Sequence, residues 1–412
     1  KLRQQKTIKK CHGISWEDNY AWIHQKNILK VLKDPTTLNP EIRKYLEENN
    51  NYTEYHLKDT KKFQKKLFDE IKGRIKLDDE SLPYTDKKYI YWTRTTKKTN
   101  YAINLRKKIG SNKIEEYWSG EKEKKRLNAE YFGIGDLEVS HNDEMLAYSL
   151  DLKGSEYFTI TVRKISDNKI ISEEIKETSG SVTWSLDNKY IFYSKLDKHH
   201  RPRKIYRHKI GTRTKKDKLI YEEKDEGFTC GIGISSDEKY FFVGTSNLTT
   251  SEIYFFNVNE DNPKLKLFKK RQKEIKYSVD SWKGNFYIHT NLDAEDYKIC
   301  KCKHENIRKW KDYIPATKGV LIGGFDLLNE WMVRSELRDA LAKLYIKNLK
   351  TNKEEELVIT DHPKSYLEKV FTDYLPMAEV VFVKERGKER KDNLEISLEE
   401  FISVKGITAM GN

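Results

Sequence analysis

An internal repeat limits what this chain can become more than any other feature. Ser140-His141-Asn142-Asp143-Glu144-Met145 runs into the apolar stretch Leu146-Ala147-Tyr148. Ser185-Leu186-Asp187-Asn188-Lys189-Tyr190 runs into Ile191-Phe192-Tyr193, and Ser235-Ser236-Asp237-Glu238-Lys239-Tyr240 into Phe241-Phe242-Val243. The shared pattern is a Ser, an Asp shortly after it, a polar turn and an apolar strand. Weaker copies place Asp86 before Tyr89-Ile90-Tyr91-Trp92, Lys283-Gly284 before Phe286-Tyr287-Ile288, and Asn329-Glu330 before Trp331-Met332-Val333. With residues 86, 143, 187, 237, 283 and 329 as turn anchors, the units recur about every 44 to 57 residues. A further strand of similar type follows each anchor, such as Phe158-Thr159-Ile160-Thr161-Val162 or Ile253-Tyr254-Phe255-Phe256-Asn257. A more polar fourth strand closes the unit, as at Lys218-Leu219-Ile220-Tyr221.

A four-stranded unit of about 45 residues cannot bury both faces alone; stacking such units around an axis buries them and protects their edges. The expected fold is therefore mostly β. It is a β-propeller with six recognisable blades over residues 79–361, its turn carboxylates accepting nearby backbone N–H groups. A β-sandwich with coincidental spacing is the competing fold. Matching third strands after every anchor weigh against it.

Residues 1–78 read differently, as a helical segment. Asn39-Pro40-Glu41-Ile42 is a helix start, with Asn as cap, Pro in the first turn and Glu at the positive end. Phe63, Leu67, Ile71 and Ile75, each four apart, predict a second helix. Charged residues make up 35% of the chain and aromatics 12%, and disordered chains lack such aromatics. The net charge of +14 is spread by alternation, as in Glu121-Lys122-Glu123-Lys124-Lys125, which reads as solvated skin and not as a nucleic-acid site. Cys11, Cys230, Cys300 and Cys302 contain no CxxC pair. Cys300 and Cys302 share one face of a strand and read as structural. There is no signal peptide and no apolar run of about 18 residues, so the chain reads as soluble and cytoplasmic, with no membrane partner. Residue 1 is Lys, so we expect the natural N-terminus to lie upstream.

Asp18-Asn19-Tyr20-Ala21-Trp22-Ile23 resembles the opening of the prolyl oligopeptidase family. Tyr45-Leu46-Glu47-Glu48-Asn49-Asn50-Asn51-Tyr52-Thr53 resembles the helix that follows it. The stretch from Leu67-Phe68-Asp69-Glu70-Ile71 to Leu82-Pro83 resembles the lead into the first blade in the oligopeptidase B branch. The resemblance covers residues 8–361. It implies a seven-bladed propeller paired with an α/β-hydrolase domain, on which the N-terminal helices pack. It also implies that the propeller restricts the active site to peptides, cut after Arg or Lys.

Acyl transfer by this family needs a Ser on a strained elbow, an acid and a His. No Gly-x-Ser-x-Gly elbow occurs; Gly154-Ser155 and Gly180-Ser181 lie inside blades. His199-His200 reads as a hairpin tip. We assign no catalytic, cofactor-binding or metal-binding residue and expect no cofactor. The chain alone is expected to be inactive, its peptide substrates being met through a catalytic domain outside these residues. Its oligomeric state is unspecified.

Residues 362–412 read as a divergent or foreign tail. The segment from Ala378 to Asn412 resembles the C-terminal region of topoisomerase IV A subunits, with a join between about 361 and 377, or else is a divergent seventh blade with a polar connector. The basic run from Lys384 to Lys391 lacks interleaved aromatics, so nucleic-acid binding through it should be weak and salt-sensitive. Three functions compete: the substrate-gating part of a serine oligopeptidase, a free-standing protein- or peptide-binding propeller, and nucleic-acid binding motivated by the net charge of +14 and this tail.

Overall fold

In the computed structural model, the structure describes residues 2–357. The expected seventh blade and the tail after residue 361 lie outside the described residues.

From residue 79 onward the chain forms antiparallel meanders. The first sheet joins Asp79–Glu80, Tyr84–Asp86, Tyr89–Thr95, Ile103–Lys108 and Ile114–Ser119. A seven-stranded sheet follows, from Gly133–Val139 to Lys218–Glu222. Its middle strand, Ile175–Trp184, closes one meander with Ile175 and Thr178 and opens the next with Val182, Thr183 and Trp184. Three four-stranded sheets complete the series, starting at Thr229–Ile234, Tyr277–Trp282 and Val320–Leu328. Five of the six anchors fall in the turn between the first and second strand of a meander, and Asp86 is the last residue of the strand before its turn.

The placement of the cores decides between propeller and sandwich. Five apolar clusters occur among the described residues, and each joins two successive meanders. Phe286 and Ile288 pack back against Phe255 and Phe268, while Tyr287, between them, packs forward with Ile322 and Met332. Phe192 faces Phe241 and Phe256, while Ile191 and Tyr193 face Ile160 and Val162. Each strand thus sends alternate side chains to the sheet before and the sheet after, as a period of two requires. A sandwich would gather one core between two layers. Here the cores run in a chain from sheet to sheet, as in a propeller.

The repeated turn shows why its residues recur. Ser185 Oγ donates to Asp187 Oδ1 at 2.6 Å and accepts from Tyr190 N at 3.0 Å. Ser235 makes the same pair of bonds to Asp237 (2.9 Å) and Tyr240 N (3.0 Å). In the earlier copy Ser140 donates to Asn142 at 2.7 Å, so Asn142, and not the anchor Asp143, takes the carboxylate's place. Asp143 instead aligns with Asn188 and Glu238. All three have positive φ (64°, 60° and 53°) in the left-handed region that ends the turn.

Residues before 79 contain more than helices. Thr7–Cys11 pairs with Ile14–Asp18 in a hairpin closed by His12 and Gly13, both with positive φ. This hairpin was not expected from the sequence, because its short strands alternate poorly. Helix Pro40–Leu57 begins as expected: Asn39 Oδ1 accepts from Glu41 N at 2.8 Å and from Ile42 N at 3.4 Å. Helix Lys61–Gly73 follows it. Helix Gly120–Leu127, also unexpected, fills the longest gap between anchors. Its Glu123 is not solvated skin: it is buried, bonds Arg126 at 2.6 Å and accepts from Tyr148 at 2.8 Å.

Candidate functional site

The first strands of successive meanders lie side by side and stitch one sheet to the next. Asp136 Oδ2 accepts from Val182 N at 3.0 Å. Thr183 Oγ1 donates to Ile232 O at 3.3 Å, and Asp280 Oδ1 accepts from Ser236 N at 2.9 Å. These strands form the inner wall of the ring. Their free backbone edges need partners, and short polar side chains from the neighbouring blade supply them. Gly231 and Gly233 on this wall are exposed, and a Cβ added at either meets nothing within 4 Å. The wall is therefore open beside them.

The wall is acidic although the chain is basic. Glu138 keeps solvent contact, yet the protein around it desolvates its carboxyl; with Asp136 and Asp86 nearby, its pKa is pushed up to about 7. Burial and the neighbouring Asp280 push Asp326 up to about 6. Asp280 itself is raised by desolvation, against the bonds from Ser236 and Ser281 that favour its charge. Among the described residues, no group of three His, Cys, Asp or Glu is placed to hold a metal ion. Cys300 and Cys302 lie in one core cluster, and burial raises their thiols to about 12 and 11, which leaves them neutral. The wall can attract and orient cationic groups.

A second feature is the N-terminal face. Helix Lys61–Gly73 buries none of its residues. Phe63, Leu67, Phe68 and Ile71 are exposed along it, as are Tyr52, Tyr55 and Leu57 on the preceding helix. Trp22 of the family-like opening donates to Arg3 O at 2.9 Å and packs edge-on against Tyr45 at 5.6 Å, tying the hairpin to the helix. The segment meets the propeller through Lys33. That residue pairs with Glu177, lies 4.5 Å from the Tyr157 ring centroid, and has its carbonyl bonded by Lys153 Nζ at 2.7 Å.

His199 and His200 sit in the hairpin turn between Leu196 and Pro202, as expected, although His200 also stands edge-on to Tyr157 at 4.3 Å. One constellation was not expected. Ser172 Oγ lies 2.6 Å from His208 Nε2, and His208 Nδ1 lies 2.6 Å from Asp217 Oδ1. The sequence analysis assigned no role to any of the three. No sequence signal marks it. Ser172 lies in an irregular segment, His208 inside a strand and Asp217 after a short 3-10 turn. It is not the strand-to-helix elbow of a peptidase.

The family model for the N-terminal β-propeller domain of prolyl oligopeptidase matches residues 1–403. The chain belongs to the prolyl oligopeptidase family. Dipeptidyl aminopeptidase BI of Pseudoxanthomonas mexicana is 27% identical over 358 residues, covering 82% of this chain and 48% of that protein. Protease 2 of Moraxella lacunata is 27% identical over 298 residues, covering 71% of this chain and 41% of that protein. Oligopeptidase B from Leishmania major shares the fold, with a TM-score of 0.79 and 19% identity over 89% of this chain and 55% of that chain. The enzyme from Trypanosoma brucei in its closed form, with covalently bound antipain, gives 0.78 and 22% over 88% and 53%. The chain spans about half the length of the curated relatives it matches. It corresponds to their propeller portion.

Proposed function

We propose that this chain is the substrate-gating propeller of a serine oligopeptidase similar to oligopeptidase B, acting on peptides with Arg or Lys at the cut. The exposed apolar face of helix Lys61–Gly73 carries this reading. Four large apolar side chains on one helix, none buried, call for a covering surface, and an α/β-hydrolase domain supplies one. The acidic inner wall suits cationic peptides. The relatives' names, an aminopeptidase and a protease, share peptide hydrolysis. No helix among the described residues is long and apolar enough to cross a membrane. All four cysteines are free, which suits the reducing cytoplasm.

A fluorogenic Arg-linked peptide should stay intact with this chain alone and be cut when a hydrolase half is joined to it. Phe63→Asp with Phe68→Asp should then lower turnover by preventing docking. Peptide cleavage by this chain alone that survives Ser172→Ala overturns the reading. A free-standing binding propeller, the second reading, has the acidic wall in its favour and predicts no effect of the Phe63 and Phe68 changes. For the tail, the topoisomerase-like reading of residues 378–412 rests on sequence alone. The family match through residue 403 supports the divergent blade instead.

A further inference from the structure

We propose that Ser172 is an activated hydroxyl that takes up an acyl group from small activated esters, with His208 as base and Asp217 as the group that orients it. His208 and Asp217 are fully buried at their side chains, with 0% and 3% exposure, while Ser172 is only partly buried. Asp217 also accepts the Tyr193 hydroxyl at 2.9 Å, which fixes its carboxylate from the far side. A carboxylate at Nδ1 takes that nitrogen's proton in a hydrogen bond and leaves Nε2 as the acceptor facing Ser172 Oγ. The order is acid, imidazole, hydroxyl, which is the geometry that activates a serine.

A cleft of about 690 Å³ opens on the Asp217 and Tyr193 side of the set, but Ser172 and His208 do not line it. A small acyl donor reaches Oγ from the partly exposed side of Ser172 instead. Ser281 supplies an internal contrast. It also meets a histidine, His304 Nε2 at 2.9 Å, but it is fully buried and donates to Asp237 at 3.0 Å, so the acid holds the hydroxyl and not the imidazole.

In the step proposed, Ser172 Oγ bonds to the acyl carbon as the bond to the leaving alkoxide or phenolate breaks. The Ser172 proton passes to His208 Nε2 and from there to the leaving group. Gly211 N, at 3.3 Å, already donates to Oγ, so this N–H is engaged before an oxyanion forms. The expected outcome is one stable adduct, not rapid turnover.

The test is intact-mass and peptide mass spectrometry of this 412-residue chain after p-nitrophenyl acetate, repeated with a fluorophosphonate. We expect a single adduct at Ser172, none in Ser172→Ala, and none at Ser281. Asp217→Asn, with its fold checked by circular dichroism, should slow labelling by about 100-fold or more. No adduct on the wild-type chain, or an adduct retained in Ser172→Ala, overturns the proposal. The readout needs no peptidase activity, so it stands or falls apart from the gating reading.

Discussion

Helix Lys61–Gly73 and strand Asn285–Thr290 both carry large aromatic and aliphatic side chains, yet they use them in opposite ways. Phe286 on the strand is 0% exposed, with Phe268, Tyr240 and Phe255 centred within 5.6 Å of it. Phe63 on the helix is 65% exposed. The propeller satisfies itself, because each blade covers the face of the next. The N-terminal segment is patterned for burial, but its helix Lys61–Gly73 buries none of its residues. An apolar stripe at helical spacing therefore reports that a partner exists, not that the partner lies in the same fold unit.

Paired substitutions would break that comparison most directly. Phe286→Ala should cost about 3–5 kcal/mol, the usual loss for emptying a large aromatic site in a core. Phe63→Ala in the same chain should fall within about 0.5 kcal/mol. Urea unfolding of both proteins gives the answer. A loss above about 2 kcal/mol for Phe63→Ala would mean that the helix face is already covered in solution.

Removing local hydrogen bonds tests the same contrast on a smaller scale. Ser185→Ala removes a buried hydroxyl's bonds to Asp187 and Tyr190, and should cost about 1–3 kcal/mol because it leaves the Tyr190 N–H without its acceptor. Asn39→Ala removes the cap of the exposed helix and should cost about 1 kcal/mol of helix stability. In the thermal melt, that second loss should show only if the helix unfolds with the propeller. A fall in Tm for Ser185→Ala with none for Asn39→Ala would sharpen the division into two cooperative units.

The repeat was legible because the same chemistry was written several times over. A Ser and a carboxylate or amide close each well-marked turn, and the strands that follow need apolar residues on both faces, since both are covered. The correction from Asp143 to Asn142 shows where such reading slips. The side-chain acceptor and the left-handed residue are neighbours, and Asn or Asp suits either place. Glu123 was misread because composition cannot reveal that Arg163, some 40 residues on, lies 3.6 Å away. The Ser172 set was invisible for the same reason. Ser172 lies in an irregular segment 36 residues before His208, and nothing local in the sequence links the two.

The acidic wall makes stability depend on pH in a definite direction. Glu138 is raised from 4.5 to about 7, so the folded state holds its proton where the unfolded chain has lost it. The stability tied to this proton is fully present below pH 4.5 and is lost as pH rises through about 7. Asp326, raised to about 6, adds to the same trend at its lower end. Glu138→Gln should flatten the change in Tm between pH 4.5 and pH 7. An unchanged slope would place Glu138 in open solvent and weaken the picture of a confined acidic wall.

The smallest expected effect is at Gly231, and there its sign matters more than its size. Glycine in a strand gives up about 0.5–1 kcal/mol of backbone entropy relative to alanine, which proteins retain when a left-handed φ or a close neighbour demands it. Neither holds at Gly231. Its φ lies outside the left-handed range, and a Cβ there meets nothing within 4 Å. Gly231→Ala should therefore leave stability unchanged or raise it by up to about 1 kcal/mol. Gly135 is the contrast on the wall of an earlier blade, where a Cβ would come within 2.4 Å of Ser149 Oγ and 2.8 Å of the Phe158 ring. Gly135→Ala should destabilise the fold. If Tm falls for Gly231→Ala as it does for Gly135→Ala, the inner wall is closed at the blade starting with Thr229, and the space beside it is not a passage.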